Sequence, residues 1–274
     1  MKKFATLLFI SFVCLFVKAQ SGQLAKYTGV VPGSYNFWLY APEEYVVDQR
    51  KVPLIIFLHG ASLCGNNLQK VRRYGMINAV EKGAYYPAMI IAPQNPGGAW
   101  NPKKIMALVD WVNEEYGIDT TRIYVIGMSL GGYGTMDLVG TYPERIAAAM
   151  AICGGTTLKE MDGLGKVPLW IIHGTADRAV PIAQSKRVVE TLQKNGNDHL
   201  LRYDWLAGVN HGHPARLFYL KQTYDWLIAH SLADNPRTLD TQIGITVEEL
   251  SIAYEDIKGT GASIELVSRI KSHK

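Results

Sequence analysis

Arg122-Ile123-Tyr124-Val125-Ile126-Gly127-Met128-Ser129-Leu130-Gly131-Gly132 decides how the rest of the chain is read. An apolar run of strand length ends in G-x-S-x-G, and a helical pattern starts at once at Leu130 and continues to Tyr142. A strand that turns directly into a helix leaves no room for side chains two residues either side of the serine. Glycine there lets the serine take a strained backbone at the tip of the turn, the geometry of a nucleophile elbow. An ordinary glycine turn could carry the same five letters. The strand before, the helix after and the additional Gly132 favour the elbow.

Working outward, short apolar runs alternate with amphipathic segments. Strands are predicted over 53–58, 88–92, 122–127, 147–152, 167–172 and 200–205, and an early antiparallel hairpin over 29–40 around Pro32-Gly33. Helices are predicted over 101–116, 130–142, 181–194 and 214–230. In the first of these Ile105, Leu108, Val109 and Val112 share one face; the third opens on Pro181. Strands alternating with helices of this length build an α/β domain with a doubly wound, mainly parallel sheet flanked by helices. Ligands bind such sheets beyond the carboxyl ends of the strands, so residues just after each apolar run are the candidates for chemistry.

A serine hydroxyl is a poor nucleophile unless a base takes its proton and a carboxylate orients that base. The segment Ile171-Ile172-His173-Gly174-Thr175-Ala176-Asp177 ends a strand and places Asp177 as the acid; Asp204, inside a strand, is the weaker alternative. The loop Ala207-Gly208-Val209-Asn210-His211-Gly212-His213-Pro214 offers two histidines. His211 is preferred because the turn before it returns a side chain over the sheet, whereas His213 abuts Pro214. An oxyanion needs preorganised donors: the amide of Leu130 at a helix start and that of Ala61, in the loop His59-Gly60-Ala61-Ser62, are the candidates. His59 and His173 each stand in a His-Gly pair at a strand end. That context suits backbone geometry and hydrogen bonding better than a metal site, so neither metal nor cofactor is expected.

The ends of the chain read differently. Lys2 and Lys3, the apolar run 4–17 and Val17-Lys18-Ala19 have the form of a signal peptide cut after about Ala19, making an exported periplasmic or extracellular protein. That run is shorter than the ~20 residues of a membrane helix, and no later run reaches that length, so no membrane span is expected. Without the segment the basic count drops from 28 to 25 against 24 acidic residues, and no basic block remains to bind nucleic acid. At 274 residues, 48% of them apolar, one catalytic domain over 20–231 is expected. Cys64 and Cys153 are read as two thiols, with pairing left open. The remainder, 232–274, reads as a helical extension. Its first helix starts in the capping box Thr246-Val247-Glu248-Glu249, and a second is expected over 264–270.

Phe57-Leu58-His59-Gly60, Ala92-Pro93-Gln94, Gly117-Ile118-Asp119, the elbow with Tyr133-Gly134-Thr135, Tyr142-Pro143, Ile152-Cys153-Gly154-Gly155 and Gly174-Thr175-Ala176-Asp177 follow one another in a specific order. In that order the chain, from about 52 to about 230, resembles the α/β-hydrolase esterases of carbohydrate esterase family 1. That group includes feruloyl and acetylxylan esterases, polyhydroxybutyrate depolymerases and proteins described as predicted peptidases. The resemblance implies the α/β-hydrolase fold, Ser129 as nucleophile, Asp177 as acid, His211 as base and Trp100 as a wall of the substrate cleft. It also implies a cofactor-free esterase acting on an ester substrate, feruloyl or acetyl esters on plant polysaccharide. The chain departs from the group in the first loop, where Ser62 and Cys64 stand in place of its glycine and arginine, and in Val209-Asn210-His211 for Val-Gly-His. A prolyl-oligopeptidase-like peptidase, an acyltransferase and a non-catalytic binding protein on the same scaffold are the competing readings.

Overall fold

The computed structural model describes residues 21–254 and 263–273, so the segment read as a signal peptide lies outside the described residues. The chain runs β1 (Ser21–Tyr27), β2 (Phe37–Ala41), α1 (Glu43–Val46), β3 (Leu54–Leu58), α2 (Met76–Glu81), β4 (Met89–Pro93), α3 (Pro102–Tyr116), β5 (Ile123–Met128) and α4 (Leu130–Thr141). It continues through β6 (Ala148–Ile152), β7 (Leu169–Gly174), α5 (Ala183–Lys194), β8 (Leu201–Leu206), α6 (Lys221–Ile228), α7 (Val247–Ile252) and β9 (Ser263–Val267), with short 3-10 turns between. Among the described residues one sheet contains all nine strands, in the order β8-β7-β6-β5-β3-β4-β2-β1-β9. The run from β8 to β4 is parallel; β2 is antiparallel to both β4 and β1.

The central strands are apolar without alternation because both their faces are covered. Ile55 and Phe57 of β3 point into the layer holding α2 and α6, while Leu54, Ile56 and Leu58 point into the layer holding α3 and α5. Each such apolar side chain contributes about 1.5–3 kcal/mol on burial. That makes β3, β5, β6 and β7 a rigid floor from which the loops at their carboxyl ends are held. Helix α3 begins where sequence places it: Pro102 follows Asn101, whose side chain accepts from the amide of Lys104. Among the described residues no helix is long and apolar enough to cross a membrane.

Three expectations are corrected. The hairpin is there, but its first arm is β1, which starts at Ser21 and pairs Gln23 with Ala41 and Tyr27 with Phe37; Pro32-Gly33 sits in the connection. The predicted helix over 214–230 is interrupted at Leu220, which is extended at φ −90° and ψ 133°. The Tyr86 hydroxyl donates to the carbonyl of Phe218 and the Thr223 hydroxyl to that of Leu217, and these bonds replace the helical ones.

The largest correction concerns 264–270, expected as a helix and found as strand β9 running parallel to β1, with Ser21 opposite Ser263 and Ala25 opposite Val267. An isolated two-turn helix is marginal in water, whereas the free edge of β1 offers a ladder of backbone partners. The other described residues of this extension, 232–254 and 268–273, are also tied in. Arg237 donates to the carbonyls of Lys166, Ile146 and Ala147, Leu250 of α7 is buried, and the amide of Ile270 donates to the Tyr27 hydroxyl. The capping box at Thr246 and Glu249 forms as read. Cys64 and Cys153 are both free thiols, the second buried.

Candidate active site

The elbow is built by close backbone approach. Ser129 sits at φ 61° and ψ −120°, between the last residue of β5 and the first of α4. Such a conformation costs a non-glycine residue about 1–3 kcal/mol. It persists because its surroundings allow nothing else: a Cβ on Gly131 would lie 1.8 Å from the carbonyl oxygen of Leu58, and the Ser129 amide is tied to the carbonyl of Ile152 at 2.8 Å.

Two loops bring partners to it. After β7 the chain turns through Asp177, whose Oδ1 accepts from the amides of Ala179 and Val180 at 2.8 and 2.9 Å. After β8, Gly208 donates to the Thr175 hydroxyl and Ala176 donates to the carbonyl of Val209, which joins this loop to the first. Asn210 then accepts from the amides of Gly212 and His213 and tightens the turn on which His211 stands. His211 Nδ1 lies 2.6 Å from Asp177 Oδ2, and its Nε2 lies 3.0 Å from Ser129 Oγ. Burial alone would raise the Asp177 pKa. The hydrogen bond from His211 and the two amides outweigh it, and the group is held below the ordinary carboxylate value. The anion therefore keeps Nδ1 protonated and leaves Nε2 to accept from the serine.

The other two candidates lie elsewhere. Asp204 accepts from the Trp170 indole at 2.6 Å and pairs with Arg202 on the body of β8. His213 uses its amide on Asn210, and its buried Nε2 has no hydrogen-bond partner among the described residues.

A second histidine reaches the same carboxylate from behind. His173 is wholly buried; its Nε2 lies 3.2 Å from Asp177 Oδ2 and 2.9 Å from the carbonyl of Val180, and its Nδ1 lies 2.7 Å from Ser185 Oγ. Ser185, buried in α5, donates to the carbonyl of Gly154 at 2.7 Å. Burial lowers the His173 pKa, partly opposed by Val180 and Asp177. Cys153 completes this side, its thiol pushed up to about 12 by burial. Cys153, His173 and Asp177 bring three potential ligand atoms within 4.8 Å of one another. The set does not suit a metal: the thiol holds its proton, and both nitrogens of His173 are committed to hydrogen bonds.

The first loop is held equally firmly. His59 is buried, accepts from the amide of Asn95 at Nε2 and so donates through Nδ1 to the carbonyl of Gly60. Burial lowers its pKa to about 4, which keeps the ring neutral. Ala61 opens the short helical turn Ala61–Leu63 and Leu130 opens α4, so the amide of each points out of its helix start without an intrahelical acceptor. Trp100 departs from its predicted place. It is 3% exposed, donates to the carbonyl of His59 at 3.2 Å and packs edge-on against Tyr35 and His59. An indole that large finds its best burial under the loop, so it supports the site from beneath and presents no face to a cleft.

This arrangement can be compared with known proteins. Residues 94–218 match the family model described as Phospholipase/Carboxylesterase. Acetylxylan esterase A of Emericella nidulans is 28% identical over 145 residues, covering 48% of this chain and 47% of the relative. Feruloyl esterase B of Talaromyces funiculosus is 24% identical over 221 residues, covering 74% of this chain and 54% of the relative. The chain thus spans about half the length of the curated relatives it matches. A solved structure described as a thermostable esterase superposes with a TM-score of 0.62 at 28% identity, over 76% of this chain and 63% of that one. The chain has the α/β-hydrolase fold.

Within this fold, Ser129, His211 and Asp177 come together in hydrogen-bonding sequence although 82 and 34 residues separate the pairs. Sequence reading missed Asn210 and Ser185 as supports. Asn210 carried a usable signal, an asparagine two residues before a glycine in a turn, where its side chain caps local amides. Ser185 carried none, because its partner Gly154 is 31 residues away.

Proposed function

We propose that this chain is an exported serine esterase that hydrolyses feruloyl or acetyl esters on plant polysaccharide, with 20–231 forming the catalytic part. The observation that carries the reading is the unbroken series from Ser129 Oγ through His211 to Asp177, at 3.0 and 2.6 Å. His211 takes the serine proton as Oγ attacks the ester carbonyl, and Asp177 stabilises the imidazolium that forms. The amides of Ala61 and Leu130 receive the oxyanion. His211 then returns its proton to the departing alcohol, and water activated by the same nitrogen releases the acid. The similarity to proteins named acetylxylan esterase and feruloyl esterase supports the choice of acyl group. None of these steps draws on a cofactor.

Hydrolysis of p-nitrophenyl acetate and methyl ferulate by the purified chain, with Ser129→Ala and His211→Ala beside it, tests the proposal. Both variants are expected to abolish turnover. Ester hydrolysis that survives Ser129→Ala would overturn it. Export is tested by N-terminal sequencing of protein recovered outside the cytoplasm, which is expected to begin near Gln20.

A further inference from the structure

The approach to Ser129 contains one polar hydrogen that the steps above leave unused. Tyr74 is half-buried and packs against the core layer of α2 and α6, immediately before Gly75. Gly75 has φ 89°, and a Cβ there would lie 2.1 Å from the Phe57 ring, so the chain meets β3 at a distance only glycine permits. That anchorage brings the Tyr74 hydroxyl over the first loop. Both of its hydrogen bonds arrive at the oxygen: the Gly60 amide donates at 3.1 Å and the Ser62 hydroxyl lies at 3.5 Å. Among the described residues its own proton meets no acceptor. A phenol that accepts from an amide is polarised toward donating, and here the donor side is vacant.

Its position relative to the nucleophile follows from Gly60. A methyl group on that residue would lie 3.0 Å from the Tyr74 hydroxyl and 3.4 Å from Ser129 Cβ. The phenol and the serine therefore face each other across a space of one methyl group. A tetrahedral adduct on Oγ would project its oxygen into that neighbourhood. The same bond removes the Gly60 amide from the set of free donors, leaving Ala61 and Leu130 as the available amides.

Resting on the serine esterase reading, we propose that Tyr74 is a catalytic residue: its phenol O–H donates a third hydrogen bond to the oxyanion formed on the carbonyl carbon bonded to Ser129. The phenol keeps its proton throughout. It stabilises charge and transfers nothing. The competing role is that of a brace, in which the oxygen accepts from Gly60 and holds the loop while its hydrogen stays idle. The two roles respond oppositely to fluorination of the ring, which strengthens a phenol as donor and weakens it as acceptor.

The test uses the full chain with p-nitrophenyl acetate at pH 6 and four proteins: wild type, Ser129→Ala, Tyr74→Phe, and wild type with 3-fluorotyrosine installed at position 74. Tyr74→Phe is expected to lower kcat by about 10²-fold or more with KM little changed, the cost of one oxyanion donor. It should also weaken binding of phenylboronic acid, which forms a tetrahedral adduct on the serine. The fluorinated protein is expected to equal or exceed wild type in kcat. A lower kcat for it, or a Tyr74→Phe rate within about 3-fold of wild type, overturns the proposal, since a lost donor costs far more. If Tyr74→Phe does not fold, the nearly isosteric fluorinated protein decides alone. Activity remaining in Ser129→Ala would instead sink the esterase reading itself, so the two failures are distinguishable.

Discussion

Asp177 has two faces, and the same residue types stand on both. On the open face His211, about a quarter exposed, connects it to Ser129. On the sealed face His173, with no exposure, connects it to Ser185. Ser129 stands at φ 61° at the tip of a turn, with its hydroxyl on Nε2 of the histidine. Ser185 lies in a regular helix and gives its hydrogen to a backbone carbonyl. A hydrogen-bonded serine, histidine and aspartate therefore do not by themselves make a nucleophile. Exposure and strain separate the series that can meet a substrate from the one that holds the carboxylate still.

The comparison breaks most readily by removing each hydroxyl. Ser129→Ala is expected to reduce kcat/KM for p-nitrophenyl acetate by about 10⁴-fold or more, while Ser185→Ala stays within about 10-fold, because its hydroxyl never reaches substrate. Equal losses would erase the distinction between the faces. Next in size is the shared carboxylate. Asp177→Asn is expected to lower kcat by about 10³–10⁴-fold with little change in KM, since an amide can present a donor to Nδ1 and favour the wrong tautomer.

The sealed histidines predict a pH dependence of stability. His59 is held at about 4 in the folded chain against 6.5 for a free imidazole. A depressed pKa stabilises the fold above 6.5, and that contribution is lost as pH falls from 6.5 toward 4, by about 3 kcal/mol in all. Urea unfolding across this window should show the decline, and His59→Gln should flatten it. A stability that stays level from 6.5 to 4 in wild type would contradict a neutral buried ring. The smallest effect sharpens the comparison. Ser185→Ala, beyond its small kinetic cost, should destabilise by about 1–3 kcal/mol because the carbonyl of Gly154 and Nδ1 of His173 are left without a partner. Thermal unfolding measures it.

The legible parts of the molecule share a local origin. Gly127, Ser129 and Gly131 announce the elbow because the constraint they satisfy, backbone against backbone in one turn, lies within five residues. Asp177 and His211 were legible as positions after apolar runs, since a parallel sheet delivers each strand end to the same edge. Preference for His211 over His213 rested on the turn before it, and the structure adds the reason: Asn210 collects the next two amides. What was not legible depended on distant partners. Residues 264–270 have no internal property that separates a short helix from an edge strand; β1, more than 230 residues earlier, separates them. Trp100 is a cleft wall only as the resemblance implies, and the packing of Tyr35 and His59 around it buries it instead.

The sequence alone thus determined the alternation of strands and helices from β4 to β8, the tight turn at Ser129 and the kinds of residue delivered to the strand ends. These follow from side-chain periodicity and from steric limits on a few consecutive residues. Only the tertiary structure decided which histidine faces solvent, that Asp177 is held from two sides, that the Tyr74 hydroxyl stands over the loop beside Ser129, and that β9 extends the sheet at β1. Each of those depends on contacts between residues far apart in the chain, whose distance is set by packing.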